Sequence, residues 1–541
     1  MEEQTNESVV KYFAKKGYLI DRDVSEFFIK LKNNALAEKI LNHLFMLTKQ
    51  RVISNSLLNN YSNELKPLLS QESTEKNLAI DSFLLNSKPR EKKDEKPIQL
   101  ARITPKVKVL SSNIIPYRRI EVKDFVTHFK NRYNFFKDIL RERKELTNLV
   151  SINKIGNNRS FSVIGIVSAK RITKNKNMIL EIEDLTGKIN ALVGSDKEEI
   201  FKKAKEIILD DVVGLKCSGN GEILYVNDIF LPEGHLLERK RSEEESYAIF
   251  ISDIHIGSRL FLEKNFERFL DWLNCIDVDE KMKEKIMKIK YMFITGDNVD
   301  GVGIYPAQEA SLLIKDMKDQ YKKLYEYLDR VPKRITMVMC PGQHDAVRVP
   351  EPQPPVDEEF APELTKMNNL LLVSNPALIE IDSSETKIGF KVLMYHGASM
   401  HSWIDELEEL RGAQCNLNPS KVVKHMITHR HLSPMHSGNV YIPSDKEDML
   451  IVKDLPDVIA TGDMHRTDVD MFNNILIICG SCWQSITPFE EKVGNLPDPC
   501  KVPMLNLKTR EIKILDFTLA EENNEKTCKE TKDTVVCEVK K

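Results

Sequence analysis

Aspartates and histidines recur in this sequence directly after short apolar runs, in residue types and spacings that could grip metal ions. The run "YAIFIS" leads into Asp253, Ile254 and His255; "YMFIT" into Gly296, Asp297 and Asn298; "ITMVMC" into Pro341, Gly342, Gln343, His344 and Asp345. Two more follow, "KVLMY" into His396 and Gly397, and "DVIAT" into Gly462, Asp463, Met464 and His465. A single Asp-x-His after one strand reads as readily as a turn. Five clusters in chain order, with glycine at four of them to let backbone approach closely, point to a built site.

The donors are Asp253, His255, Asp297, His396, Asp463 and His465, with Gln343 offering a carbonyl. That is too many for one tetrahedral ion. It suits two divalent ions about 3.5–4 Å apart that share a carboxylate, an arrangement used for in-line attack on phosphorus. Mixed imidazole and carboxylate ligation favours Mn, Fe or Zn over Mg alone.

The elements that must position these residues are strands. Each run is rich in β-formers and bounded by turn residues, and in open α/β sheets the ligand site lies beyond the carboxyl ends of the strands, so the five clusters are expected to converge. They fall in an α/β segment at 247–519. A chain of 541 residues is too long for one core, and about three domains are expected. Residues 1–70 carry helical periodicity. Residues 71–116, with "NSKPREKKDEKPIQ", have the composition of a flexible linker. Residues 117–155 form a helical connector whose Phe and Tyr stripe reads as a packing face. Residues 156–237 give five short strands with a helix after the third. A charged hinge, "ERKRSEEES", precedes the α/β segment, and a polar tail at 520–541 is expected to be disordered.

Lys plus Arg is 79 and Asp plus Glu 82, a formal charge of −3, so a polyanionic partner must be held by a local basic patch, by metal ions or by another subunit. No apolar run approaches the ~18 residues of a membrane span, and "MEEQTNESVV" lacks a signal-peptide pattern, which predicts a cytoplasmic protein. Nine scattered cysteines predict reduced thiols. Cys479 and Cys482 are expected to be buried thiols rather than a redox or zinc pair.

The order of the five motifs resembles the calcineurin-like metallophosphoesterases, whose second motif is Gly-Asp, third Gly-Asn-His-Asp or Gly-Asn-His-Glu, and fifth Gly-His-x-His. The resemblance implies that Asp253, His255 and His465 hold a first ion, that Asp297 bridges, and that Gln343, His396 and Asp463 hold a second. It implies that His344, oriented by Asp345, protonates the leaving oxygen. Gln343 stands where Asn is usual and Asp463 where His is usual, and both fall on the second ion. "GDNVDGVG" lacks the arginine of the protein-phosphatase branch and "GQHD" ends in Asp, which moves the expectation to diester chemistry on nucleic acid.

The five strands at 156–237 resemble an OB-fold barrel. Its central strands "MILEIED" and "KINALV" carry no aromatic on which a base could stack, so protein docking is favoured over nucleic-acid binding. With the flanks "GQHDAVRVPEPQPP", "HRHLSPMH" and "GSCWQSITPFEEKVGNLPDPCKVPMLNL", the layout from about 161 to 517 resembles the small subunits of archaeal family-D DNA polymerases, related to the non-catalytic B-subunits of eukaryotic replicative polymerases. This implies an α/β metallophosphoesterase β-sandwich flanked by helices, preceded by an OB-fold barrel and a helical module. It implies a manganese-supported 3′–5′ exonuclease, with Mg, Fe or Zn as alternatives, whose partners are a large catalytic subunit and a DNA primer 3′ end, with no membrane. His425, His429, His431 and His436 lie outside the five clusters and are expected to form a solvated or phosphate-contacting segment near the DNA entry. The rival readings are a scaffold subunit that has lost catalysis and a free-standing phosphomonoesterase. Retention of the ligands argues against the first; the barrel and the rigid proline-rich stretch "VPEPQPP" that follows His344 argue against the second.

Overall fold

The computed structural model describes residues 119–519 except 157, 384–387 and 413–414, together with 107–112, 12–13, 15–16, 18–20, 24–25, 28–29, 34–48 and 52–53. The chain divides into two units, Met1–Gln99 and Leu100–Lys541. In the first, helix α1 (Asn34–Thr48) buries Leu36, Ala37, Ile40, Leu41 and Leu44 along one face. The expected helical module also contains strands β1 (Leu19–Ile20) and β2 (Val52–Ile53), paired in parallel.

The second unit corrects the linker expectation at one place. Val107–Ser112 is strand β3, paired antiparallel with a later strand, and Val107 enters the core between two sheets. Alternation of Val107 and Val109 within a Lys- and Ser-rich context is enough for an edge strand. Residues 71–106 and 113–116 of the expected linker, and the tail from 520, lie outside the described residues.

Helix α2 (Val122–Arg141) turns Tyr133, Phe136 and Leu140 inward against Ile164, Val212 and Phe230, so its aromatic stripe is a packing face. Strands β4 (Asn158–Ile172), β5 (Met178–Asp184) and β6 (Gly187–Val193), helix α3 (Glu198–Glu206), and strands β7 (Val212–Gly219) and β8 (Ile223–Phe230) follow. The strands close into a barrel in the order β4-β5-β6-β8-β7. In β5 alternate residues Met178, Leu180 and Ile182 fill the interior. β4 can pair with both β5 and β7 because it bends; a side chain at its Gly165 would sit 2.8 Å from the Glu183 carbonyl. The expected hinge is tied down: Lys240 Nζ meets Asp457 Oδ2 at 3.1 Å and Ser242 Oγ donates to Asp382 Oδ2 at 2.7 Å.

The rest comprises β9 (Tyr247–Ile251), α4 (Glu263–Leu273), α5 (Glu280–Met287), β10 (Ile289–Thr295), α6 (Met317–Asp329), β11 (Thr336–Cys340), β12 (Leu370–Leu372), β13 (Ala377–Ile381) and β14 (Phe390–Met394). After these come α7 (Met400–Glu406), α8 (Glu408–Gly412), α9 (Ser420–His429), β15 (Val458–Thr461), β16 (Asp468–Phe472), β17 (Ile475–Cys479), α10 (Pro488–Val493), β18 (Lys501–Asn506) and β19 (Ile512–Asp516). They build two six-stranded sheets, β12-β11-β10-β9-β18-β19 and β16-β17-β15-β14-β13-β3. Ala248 and Phe250 of β9 face the second sheet, while Tyr247, Ile249 and Ile251 face α4 and α6. Burial on both faces explains why the strands read as unbroken apolar runs. The outer face of the second sheet is covered by α7, α8 and α9. The layers are therefore helix, sheet, sheet, helix. Parallel β9, β10 and β11 in one sheet and parallel β14 and β15 in the other end where the five motifs begin.

Candidate metal centre

The polypeptide leaves these strands through strained turns. Asp253, His255, Asp297, Asp463 and His465 all have φ between 47° and 65°, and Gly296 and Gly397 are also left-handed. Non-glycine residues enter this region rarely and at a cost of ~1–3 kcal/mol each. In both Asp-x-His turns the middle residue, Ile254 or Met464, is buried in a core, so the left-handed residues on either side of it are locked by packing.

The turns bring three sets of donors together, each set with its atoms within 4.8 Å of one another: Asp253, His255 and His465; His255, Asp297 and His344; and Asp253, Asp297 and His396. His255 Nε2 and His465 Nε2 are 3.1 Å apart, and His465 Nε2 is 3.5 Å from Asp253 Oδ1. The other nitrogens of both rings face carboxylates: His255 Nδ1 lies 3.2 Å from Asp300 Oδ1 and His465 Nδ1 2.9 Å from Glu490 Oε1. The Glu490 carboxylate at Nδ1 orients His465 Nε2 inward, whereas His255 Nδ1 faces Asp300 at ion-pair distance without hydrogen-bond geometry. Burial raises Glu490, but His465 and the Thr487 cap outweigh it and bring the carboxyl down to about 2.

On the other side, His396 Nδ1 donates to the Thr295 carbonyl at 3.1 Å. Its Nε2 then faces Asp297 Oδ2 at 3.3 Å and Asp463 Oδ1 at 3.6 Å. These are ion-pair distances without hydrogen-bond geometry, and His396 Nε2, Gln343 Oε1 and Asp463 Oδ2 are all buried with no hydrogen-bond partner. Burial works against charge on Asp297, yet His396, His344 and His255 outweigh it and hold the carboxyl far below the usual carboxylate range. Burial likewise opposes charge on His396, and Asp297, Asp253 and Asp463 overcome it. This half of the site demands positive charge, and the buried Gln343 and Asp463 oxygens without partners fit a divalent cation, which would supply that charge in place of the His396 Nε2 proton. The glycines let the backbone close on the donors. A Cβ on Gly342 would sit 2.7 Å from His396 Nε2, and one on Gly462 2.6 Å from Asp253 Oδ2.

The site also corrects the sequence reading. Asp345 does not orient His344: its Oδ2 accepts from Gly342 N (2.9 Å), Asn298 N (3.2 Å) and Asn298 Nδ2 (2.9 Å), and its Oδ1 from Tyr321 Oη (2.8 Å). It pins the loop. His344 is oriented instead by the Asp300 carbonyl, 2.7 Å from Nδ1. The expected solvated histidine segment is largely buried: His429 Nδ1 meets Asp211 of the barrel at 2.9 Å, and His431 Nε2 meets Asp448 Oδ2 at 2.9 Å beside Arg132. Of the four histidines in that stretch only His436 is exposed, and its backbone N–H is taken by Asp210 Oδ2 at 2.7 Å. The segment fastens the barrel to the second sheet. Cys479 and Cys482 are buried thiols. Sequence reasoning missed Asp300 and Glu490; the Thr487–Glu490 capping box was visible in "TPFE", but its reach to His465 was not. It also missed Asn375, whose Oδ1 accepts from His396 N at 2.9 Å.

The family model that describes the B-subunits of DNA polymerases alpha and epsilon matches residues 248–469. The DNA polymerase II small subunit of Archaeoglobus fulgidus is 32% identical over 501 residues, covering 92% of this chain and 95% of that protein. The chain belongs to this small-subunit family of the archaeal family-D DNA polymerases. The family's small subunit from Pyrococcus furiosus is 38% identical over 408 residues, 74% of this chain, and that from Methanothermobacter thermautotrophicus 33% over 403 residues, covering 81% of that protein. The chain spans 64% of the length of the Pyrococcus furiosus and Pyrococcus abyssi proteins. The segment 248–469 contains every candidate ligand from Asp253 to His465, whereas Glu490 lies beyond it. No helix among the described residues is long and apolar enough to cross a membrane.

Proposed function

We propose that the chain is a metal-dependent 3′–5′ exodeoxyribonuclease that proofreads as the small subunit of a DNA polymerase, acting on a primer 3′ end beside a large catalytic subunit. The observation that carries this reading is buried His396 Nε2, which has no hydrogen-bond partner and lies 3.3 Å from Asp297 Oδ2 and 3.6 Å from Asp463 Oδ1, with Gln343 Oε1 and Asp463 Oδ2 also buried and without a hydrogen-bond partner. A site kept only as scaffold gains nothing from them, since each costs ~1–3 kcal/mol. The layers and converging strand ends support a calcineurin-like metallophosphoesterase sandwich, and the barrel order with a helix after the third strand supports an OB-fold. The barrel exposes Ile172, Leu185 and Tyr225, which suits docking to protein.

Asp253, His255 and His465 would hold one ion, Gln343, His396 and Asp463 the other, with Asp297 shared; oxygen donors at 343 and 463 favour manganese over zinc. Two divalent ions, when bound, lower the pKa of water and neutralise charge at phosphorus. The chain supplies the rest. Glu490 aims the His465 ring, Asp300 faces His255 at ion-pair distance, and the Asp300 carbonyl holds a proton on His344 Nδ1, so that Nε2 faces the site 3.9 Å from Asp297 Oδ2. His344 would donate a proton from Nε2 to the departing 3′ oxygen.

Digestion of a 3′-mismatched primer by the purified chain, with and without manganese, tests the reading. Manganese-dependent shortening that is lost in Asp297→Ala while the melting transition survives is the expected result. The departures Gln343 and Asp463 favour one rival, a scaffold subunit; an inert parent that becomes active as Gln343→Asn with Asp463→His would establish it.

A further inference from the structure

The proline-rich stretch after His344 runs into the interior rather than over the surface. Val349 is exposed, but Glu351, Pro352 and Gln353 are buried. Prolines at 350, 352, 354 and 355 fix φ and carry no N–H, so the stretch is stiff, and the N–H groups of Glu351 and Gln353 between them need partners. Glu351 N donates to the Val440 carbonyl at 3.0 Å and Gln353 N to the Asn375 carbonyl at 2.7 Å, while Asn375 N returns a bond to the Gln353 carbonyl at 2.9 Å. Arg348 Nη2 reaches the Pro352 carbonyl at 2.7 Å. This stiff, tied segment turns two polar side chains inward, Glu351 and Gln353, each 1% exposed.

Gln353 joins the backbones beneath two candidate ligands. Its Nε2 donates to the Gly342 carbonyl at 3.2 Å, and its Oε1 accepts from Asn375 Nδ2 at 2.8 Å. Asn375, fully buried, accepts the His396 N–H at Oδ1 at 2.9 Å. The orientation of both amides is forced from the ends. The His396 N–H can only donate, so Asn375 must give it the oxygen and turn its nitrogen to Gln353; Gln353 then gives its oxygen to Asn375 and its nitrogen to the Gly342 carbonyl, which can only accept. The result is one continuous line from the peptide that joins Gly342 to Gln343 to the peptide N–H of His396. On the site side the same two turns already touch, since a Cβ on Gly342 would sit 2.7 Å from His396 Nε2. Glu351 supports the line from the side, with Oε1 3.4 Å from Asn375 Nδ2 and Oε2 accepting from Asn439 Nδ2 at 2.7 Å.

We propose that Gln353, acting through Asn375, is a positioning residue for the second metal ion: it sets the separation of the Gln343 and His396 turns so that Gln343 Oε1 and His396 Nε2 meet the same ion. The inference rests on the two-ion reading above. Pairing two buried backbone groups does not by itself require such a line, because ordered water can do it; interlocked amides also fix how far apart the groups are held. Gln343 makes that separation matter. Its side chain has one more rotatable bond than the asparagine usual at this place, and its buried Oε1 has no hydrogen-bond partner. What directs it is the backbone on which it stands, pinned at the Gly342 N–H by Asp345 Oδ2 and at the Gly342 carbonyl by Gln353.

The test is manganese titration of the full chain followed by electron paramagnetic resonance, in which two ions about 3.5–4 Å apart couple and broaden each other's signal while a lone ion keeps its resolved lines. The parent should take up two coupled ions. Gln353→Met fills the space but bonds neither neighbour; Gln353→Ala admits water to pair the Gly342 carbonyl and Asn375 Nδ2 but removes the fixed spacer. In both, the second ion should bind about tenfold to a hundredfold more weakly while the first keeps its parental affinity. Asn265→Leu, which removes a buried amide's bond to the Phe517 carbonyl (3.0 Å), controls for general destabilisation and should keep both ions. Two coupled ions at parental affinity in Gln353→Ala, with only the melting transition of Gln353→Met lowered, would reduce Gln353 to a partner for backbone groups and overturn the proposal. Equal weakening of both ions, or loss of the second in Asn265→Leu as well, would do the same. A parent that takes up one ion refutes the two-ion reading and the proposal with it; a parent that takes up two and digests no primer, with the second ion still dependent on Gln353, leaves the proposal standing and refutes the exonuclease.

Discussion

Gly342→Ala isolates the geometry of the centre from the stability of the fold. The φ of Gly342 lies outside the left-handed region, so alanine adopts its backbone without strain. The added methyl would nevertheless sit 2.7 Å from His396 Nε2, 2.6 Å from Asp297 N and closer still to Asp297 Oδ1, where real Cβ contacts stay above 3.0 Å. The loop cannot retreat, because the Gly342 N–H is held by Asp345 Oδ2 at 2.9 Å and its carbonyl by Gln353 Nε2 at 3.2 Å. Asp297 must yield instead, and its Oδ1 is held by the His344 N–H at 2.9 Å. A displacement on the order of 0.5–1 Å in a carboxylate shared by both ions should cost roughly 10- to 100-fold in kcat/KM. The overpacking itself costs about 1–3 kcal/mol, so the melting transition should move by only a few degrees. Primer digestion, manganese binding by electron paramagnetic resonance and thermal unfolding, measured on the same preparation, separate the two effects. A variant within about threefold of the parent in rate, with parental manganese stoichiometry, would show that Asp297 is not the shared ligand.

Two further outcomes concern the buried cluster that fastens α2 and the barrel to the second sheet. His431 Nδ1 accepts the Ser433 N–H at 3.0 Å, which leaves Nε2–H to donate to Asp448, so the ring is neutral; burial accordingly pushes it down to about 4. Between pH ~6.5 and 4 the unfolded chain therefore binds this proton and the folded chain does not. This contribution is complete above pH 6.5 and is lost as pH falls, by about 3 kcal/mol in all. Denaturant midpoints across that window should fall less steeply in His431→Gln, and equal slopes would refute the assignment. Asp448→Ala should cost roughly 3–5 kcal/mol by leaving the Arg132 guanidinium, bound at 2.7 Å through Nε, buried and uncompensated. Adding Arg132→Met should recover most of that loss in the same denaturation experiment; no recovery would mean that the pair does not act as a unit.

The parts of the site legible in the sequence are those whose signal is local. An apolar run that stops at Asp-x-His carries its strand, its end and its donors within ten residues, so the five clusters and their meeting place could be read directly. The barrel's five strands were legible for the same reason. What failed were pairings across the chain and orientations within a turn. His429 and Asp211 are separated by 218 positions, and helical spacing of histidines gives no hint that a barrel carboxylate will bury them. Strand β3 was hidden because two valines in six residues are a weak pattern, and its partner β13 lies more than 260 residues on. Asp345 misled by adjacency. It follows His344 in sequence, yet the turn after Gly342 sends its carboxylate inward to hold that turn shut, and the group that orients His344 is a carbonyl, which no side-chain pattern encodes. The left-handed backbone at five aspartates and histidines was equally silent, and it explains why donors so close in sequence can face one point: an extended Asp-x-His would place both side chains on one face but in line along the strand, whereas left-handed residues on either side of a buried one curl them back over the strand end. Strain of that kind persists only where the surroundings fix it. Here the surroundings are Ile254 and Met464 in the cores and glycines at 296, 342 and 462, where a Cβ would strike a donor side chain, so core packing and the metal centre are enforced by the same residues.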